Sequence, residues 1–185
     1  MTDVRPLASS LARLRVPLGF LSGVFVLWFS QPTIASVALG AVVAGLGEAL
    51  RVWAAGHLNK AREVTTSGPY RWLAHPLYVG SSIMGVGLAI ASNRLLVSAL
   101  ILVYLAATLT AAIKSEEAFL RHAFGGEYDR YRRRNGADVA GAGRVIDARS
   151  FSIRQALANR ELRAIVGLLV AVLLLFLKAT YNGSF

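Results

Sequence analysis

No cysteine occurs anywhere in this 185-residue chain, which excludes disulfides, thiolate nucleophiles and cysteine-bound metal. Histidine is scarce as well. His57, His75 and His122 stand apart, with neither HxxxH nor HxH spacing, so a catalytic zinc is not expected. Glycine-rich phosphate loops and the GxGxxG fingerprint are missing, and with them the soluble methyltransferase and dinucleotide folds. Nothing repeats. Acidic residues are also few, 10 against 20 Lys and Arg, for a net charge of +10.

What the chain has in quantity is apolar surface. At 55% hydrophobic residues and a mean hydropathy of +0.53, it is too apolar for an ordinary soluble domain of its length. A membrane helix needs about 17 to 25 apolar residues. Runs near 14–30, 33–50, 76–92, 95–113 and 164–181 meet or approach that length. The first is the shortest, extended toward Arg13 and Arg15, which can snorkel to the headgroups. The expectation is an all-α polytopic membrane protein, one domain of about five transmembrane helices. Short turns join runs one to two and three to four as antiparallel hairpins. Ala41 and Gly45, and Ser81 and Gly85, spaced i and i+4, either mark close helix contacts or reflect the general abundance of small residues in membrane helices.

Basic residues set the orientation, because short Lys- and Arg-rich loops stay in the cytoplasm. Eighteen of the twenty fall in the N-terminal tail, the second loop (51–75) and the fourth loop (114–163); only Arg94 and Lys178 fall on the other side. The N-terminus is therefore expected inside and the C-terminus outside, in an inner membrane of bacterial type. The charge is accounted for by anionic headgroups without nucleic acid. No cleavable signal peptide is expected, since the first run lacks a small-residue cleavage site. Residues 150–163 mix Phe151, Ile153, Leu157 and Leu162 with arginines, behind Ser150 or Ser152 as a cap. They read as an interfacial amphipathic helix, with a lid as the alternative.

Two polar stretches share the cytoplasmic side. One is Thr65 to Gly80, TTSGPYRWLAHPLYVG, in which Gly68-Pro69 must turn and Pro76 opens a helix. The other is Ser115 to Tyr131, SEEAFLRHAFGGEYDRY. The hairpin of runs three and four brings them together. Glu48 and Arg51, i and i+3, share a helix face at the end of run two. Ionisable residues at such a depth face a cavity or a partner.

Together Gly47-Glu48-Ala49-Leu50-Arg51, Val64 to Trp72, His75-Pro76-Leu77-Tyr78-Val79-Gly80, Glu116-Glu117 and Phe124 to Tyr131 resemble the isoprenylcysteine carboxyl methyltransferases and their phospholipid methyltransferase relatives. The resemblance covers roughly residues 40 to 135. It implies an integral membrane enzyme using S-adenosylmethionine, with the cofactor held by Tyr70, His75, Pro76, Tyr78, Glu116 and Glu117. Arg51 would orient an anionic acceptor group, with Glu48 holding Arg51 in place. One departure is Ala74, where the family usually has Arg; Arg71 is the candidate to take over its contact.

Each role has a structural alternative. The glutamates also suit a solvated helix end, His75 a helix cap, the tyrosines and Trp72 an interfacial aromatic belt, and the Glu48–Arg51 pair a structural ion pair. The glutamate role is favoured because basic residues are the usual choice just past a membrane span. Methyl transfer from a sulfonium to a carboxylate needs no general base, only positioning and exclusion of water. An amine acceptor would need its proton removed, by His57, His75 or Glu48. The expected reaction is carboxylate O-methylation of a lipid-like or prenylated acceptor. The alternatives are N-methylation of a lipid amine, an NADPH-dependent membrane reductase, and a non-catalytic membrane protein.

Overall fold

In the computed structural model, which describes residues 21–59, 65–126, 128–129 and 150–181, every regular element is helical. The helices are α1 (residues 21–29), α2 (Ile34–His57), α3 (Pro76–Ser92), α4 (Leu95–Phe124), α5 (Ile153–Ala158) and α6 (Glu161–Tyr181). A 3-10 turn, Gly68–Arg71, lies before α3. Helices α2, α4 and α6 are long and apolar enough to cross a membrane; α3 is apolar but shorter, at 17 residues. Residues 14–20 of the first expected span lie outside the described residues, as do Glu127, Arg130 and Tyr131 of the second polar stretch.

Local sequence explains where most helices begin. Thr33 and Ser36 form a reciprocal capping box at the start of α2, and Pro76 occupies the first turn of α3. Where helices end is less obvious from hydropathy. The expected runs stop at Leu50 and Ile113, where charged residues begin, yet α2 continues to His57 and α4 to Phe124. Neither Gly68-Pro69 nor Gly125 has been reached by then, no proline lies in either stretch, and Arg51, Ala54, Ala55, Lys114, Glu116, Glu117 and Ala118 are good helix formers. Residues 51–57 and 114–124 are therefore helix rather than loop. At 30 residues, α4 is about 45 Å long, well beyond a hydrocarbon core of about 30 Å. Glu116 and Glu117 thus ride on a rigid extension.

The tightest packing is the antiparallel seam of α2 and α3. A Cβ added at Gly40 would stand 2.4 Å from the Gly87 carbonyl, and one at Gly47 would stand 2.5 Å from that of Gly80. The seam therefore runs along Gly40, Ala44 and Gly47 on one helix and Gly80 and Gly87 on the other. The expected contacts of Ala41 and Gly45 are one position out: a Cβ at Gly45 meets nothing within 4 Å. A step of one residue is about 100° around a helix, so the neighbouring i, i+4 pair faces elsewhere. Gly85 instead receives Leu105 of α4. At one end Val37, Ala91, Leu175 and Ala179 gather α2, α3 and α6 into an apolar cluster.

That end also holds α1. Lys178 Nζ donates to the Leu27 and Trp28 carbonyls at 2.6 and 2.8 Å, and Arg94 Nη1 donates to Phe29 O at 3.2 Å. Two cations thus meet the carbonyl end of α1, where unsatisfied acceptors and the helix dipole both favour positive charge. The C-terminal ends of α2 and α4 and the N-terminal ends of α3 and α6 all lie at the opposite end of the bundle.

Candidate functional site

Two polar centres form at that opposite end. The first joins α3 to α4. Pro76 is buried as the first residue of α3, which sets His75 at the helix entrance with no side-chain capping bond. The ring instead reaches α4: Nε2 lies 3.1 Å from Glu117 Oε1, and Nδ1 lies 3.7 Å from Glu116 Oε2. Glu117 is the closer partner, and Glu116 is the more exposed of the two carboxylates. Burial of the ring opposes its protonated form, but Glu116 and then Glu117 outweigh this and raise the imidazole pKa above its usual 6.5. The Tyr78 ring lies 5.8 Å from the His75 ring. Beyond the pair, Arg121 comes within 4.0 Å of Glu117 and 3.6 Å of Asp129.

The second centre joins α2, α3 and α6. Arg51 Nη2 donates to both carboxylate oxygens of Glu161, at 2.9 and 3.2 Å. Its Nη1 donates to Ser81 Oγ, and its Nε faces Glu48 Oε2 at 3.2 Å. Glu48, expected beside Arg51, is thus one of two carboxylates there, and the shorter, hydrogen-bonded contact belongs to Glu161. Sequence reading missed Glu161. Its signal was a lone acid among arginines in Asn159-Arg160-Glu161-Leu162-Arg163, directly before an apolar run.

Tyr70 is buried, at 7% exposed, in the 3-10 turn that folds back on α2. Gly68 makes that turn possible: its φ is +55°, and a Cβ there would lie 2.4 Å from the His57 ring. His57 Nδ1 in turn sits 3.2 Å from Ser67 Oγ, which ties this histidine to the turn. Trp72 is 58% exposed and pairs with Trp53 at 6.0 Å, as an interfacial tryptophan would. Arg71 is also exposed.

The segment after residue 149 closes the end of α2. Ser152 caps α5, and its backbone N–H donates to Gly56 O at 3.1 Å. Asn159 Nδ2 donates to Ala55 O and Leu58 O, and Gln155 Nε2 donates to Leu58 O. Carbonyls that a helix end leaves orphaned are thereby satisfied from 100 residues away in sequence. The expected amphipathic stretch includes a docked helix end-piece whose Phe151, Ile153 and Leu157 remain exposed.

The first centre's donor set suits a cofactor that carries an ammonium group, hydroxyls and a carboxylate. Two glutamates can hold the first two, and an imidazole biased toward its cationic form can hold the third. Among the described residues, no three of His, Cys, Asp and Glu stand together as metal ligands.

The phospholipid methyltransferase family matches over residues 35–127, a range that contains both centres except Glu161. The nickel-cobalt-cadmium resistance protein NccN of Alcaligenes xylosoxydans xylosoxydans is 33% identical over 112 residues, 60% of this chain and 51% of that protein. The cobalt-zinc-cadmium resistance protein CzcN of Cupriavidus metallidurans is 34% identical over 112 residues, 60% of this chain and 50% of its own. The chain thus spans about half the length of these relatives. No solved structure matches. With half its length matched, and with apolar helices framing the matched glutamates and histidine, the chain is an integral membrane protein belonging to the phospholipid methyltransferase family.

Proposed function

We infer that this protein is an S-adenosylmethionine-dependent methyltransferase acting at the cytoplasmic face of a bacterial inner membrane on a lipid-like or prenylated acceptor. The observation that carries the reading is the contact of His75 with Glu116 and Glu117, which brings separate parts of the matched segment to one place. When bound, the cofactor supplies a methyl group on a sulfonium. Glu116 and Glu117 hold its ammonium and ribose hydroxyls, His75 its carboxylate, and Tyr78 offers an aromatic face to the positive charge. Tyr70 and Pro76 set the loop that carries these groups. The chain's contribution to rate is positioning and exclusion of water, effects that can lower a barrier by about 7 to 11 kcal/mol.

Two acceptor chemistries follow. Carboxylate O-methylation, which the family resemblance suggests, needs a cation to orient the anionic head, and Arg51 is the residue for it. N-methylation of a lipid amine is the second reading. It is favoured by one observation: Arg51 already faces two carboxylates, Glu48 and Glu161, and the hydroxyl of Ser81. The named relatives are metal-resistance proteins; for this chain, a part in metal tolerance would run through methylation of a membrane component.

The test is calorimetric titration of the detergent-purified protein with S-adenosylmethionine and S-adenosylhomocysteine, with NADPH as control. Binding of both adenosyl compounds that Glu116→Ala and Glu117→Ala weaken supports the reading. Binding of NADPH alone replaces it with a reductase. Transfer of labelled methyl to extracted lipids then separates the acceptors, since a methyl ester is lost to mild base and an N-methyl group is not.

A further inference from the structure

Between α5 and α6 the chain turns within two residues, Asn159 and Arg160, and the second is an unusual choice. Arg160 has a φ of +65°, in the left-handed region where glycine is relaxed and a residue with a Cβ is strained. Asn159 faces inward, donating to the Ala55 and Leu58 carbonyls. Arg160 is exposed. A cation thus stands in solvent where glycine would cost the backbone less.

Its surroundings repeat the pattern. Arg154 and Arg163 are exposed as well, and so are Ile153, Leu157 and Leu162. The one acid of residues 150–163, Glu161, is buried against Arg51 and leaves the three arginines uncompensated. The stretch therefore has two faces. Ala156, Asn159 and Glu161 are turned to the bundle, where they close the end of α2 and the second centre. Three arginines and three large apolar side chains are turned away from it. Because α6 is a candidate membrane span that starts within this stretch, the outer face lies at headgroup height, and the Trp53–Trp72 pair marks the same level.

We propose that residues 150–163 are a latch set by the surface charge of the adjoining leaflet. Anionic headgroups take Arg154, Arg160 and Arg163, the apolar side chains enter the interface, and the latch so held keeps Asn159 on the α2 carbonyls and Glu161 on Arg51. Charge and apolarity together decide the partner. An acidic soluble protein would answer the arginines but not Ile153, Leu157 and Leu162, whereas a membrane surface answers both. A zwitterionic surface offers phosphates already matched by their own cations, and an anionic one offers net charge, worth roughly a fivefold shift in an equilibrium for each arginine near it. The two faces are opposite, so contact with the leaflet does not compete with docking on α2. The left-handed turn sets both faces at once, and its strain is offset by the contact that it permits. This latch does not rest on the methyl-transfer reading and is measured without cofactor.

The test uses the full chain in lipid discs of phosphatidylcholine, with or without phosphatidylglycerol. The chain has no cysteine, so a single thiol reports one position. Ala156→Cys, at a site 2% exposed, reacts with a neutral maleimide when the latch leaves α2. Leu157→Cys, exposed on the next residue, corrects for the effect of the surface on local pH. The rate at 156 divided by that at 157 should fall about tenfold or more in the anionic discs, and Arg154→Gln, Arg160→Gln and Arg163→Gln together should abolish the difference. Arg160→Gly separates charge from backbone: by relieving strain it should lower the ratio in neutral discs, and by removing charge it should raise it in anionic ones. Hydrogen exchange at the Ala156 and Asn159 amides of the unsubstituted chain gives the same comparison without a new side chain. A ratio that ignores lipid charge, or rises with it, overturns the proposal. So does a difference that survives the triple variant, or an Arg160→Gly effect of one sign in both bilayers.

Discussion

At the scale of single residues, the two centres differ in what their charges do. Arg51 and Glu161 form a largely buried pair in which one guanidinium nitrogen serves both carboxylate oxygens, and removing one partner of such a pair leaves an uncompensated charge, at a cost of about 3 to 5 kcal/mol. Glu161→Ala should therefore lower the melting temperature in detergent sharply, and Glu161→Gln, which keeps one oxygen acceptor, should lower it less. Equal, small effects would show that the bridge contributes little to the fold. His75 makes a different prediction. Its folded pKa lies above the usual 6.5 because Glu116 and Glu117 overcome the effect of burial. The stabilisation is then present in full below 6.5 and is lost as pH rises through the higher folded value. Wild type should exceed His75→Asn in melting temperature most in mild acid, with the gap closing in mild alkali. A gap that widens with pH would mean that the ring is held neutral.

At the scale of helices, the α2–α3 seam depends on glycine at particular positions and not at their neighbours. Gly87→Ala places a methyl 2.4 Å from the Ala44 backbone nitrogen, and overpacking of this kind costs about 1 to 3 kcal/mol. Gly45→Ala meets nothing within 4 Å and should be neutral or slightly stabilising, because alanine is the better helix former. Thermal unfolding of the two variants side by side tests the seam. The same helices show what was legible in sequence. The apolar runs marked α2, α3, α4 and α6, Pro76 and Gly68 marked a start and a turn, and the His75 and Glu116-Glu117 motifs marked side chains that meet in the fold. The seam's face was missed, since small residues at 40, 41, 44, 45 and 47 satisfy more than one i, i+4 pattern. The ends of α2 and α4 were missed because hydropathy reports where apolar residues stop, and a helix continues until its backbone is interrupted. Glu161 and Asn159 were missed because their partners, Arg51 and the carbonyls of Ala55 and Leu58, are about a hundred positions away and no local pattern records that.

At the scale of the whole molecule, charge and helix direction agree. Arg51, Arg71, Arg154, Arg160 and Arg163 lie toward the end that carries both centres, while Arg94 and Lys178 gather at the carbonyl end of α1. Because the chain has no cysteine, single cysteines report sidedness without background. Arg71→Cys should react with a membrane-impermeant thiol reagent only after the cells are opened, and Tyr181→Cys, at a position 92% exposed, should react in intact cells. The reverse labelling would turn the site outward. The bridge from Arg51 to Glu161 spans 110 residues of sequence, and this also imposes an order on biogenesis. While the ribosome is still making α6, the guanidinium has Ser81 and Glu48 nearby but not its principal counter-ion. The second centre can close only after residue 161 has been made. A nascent or truncated chain ending before residue 161 would carry a poorly matched charge in its membrane hairpin, a defect that quality-control proteases are able to recognise.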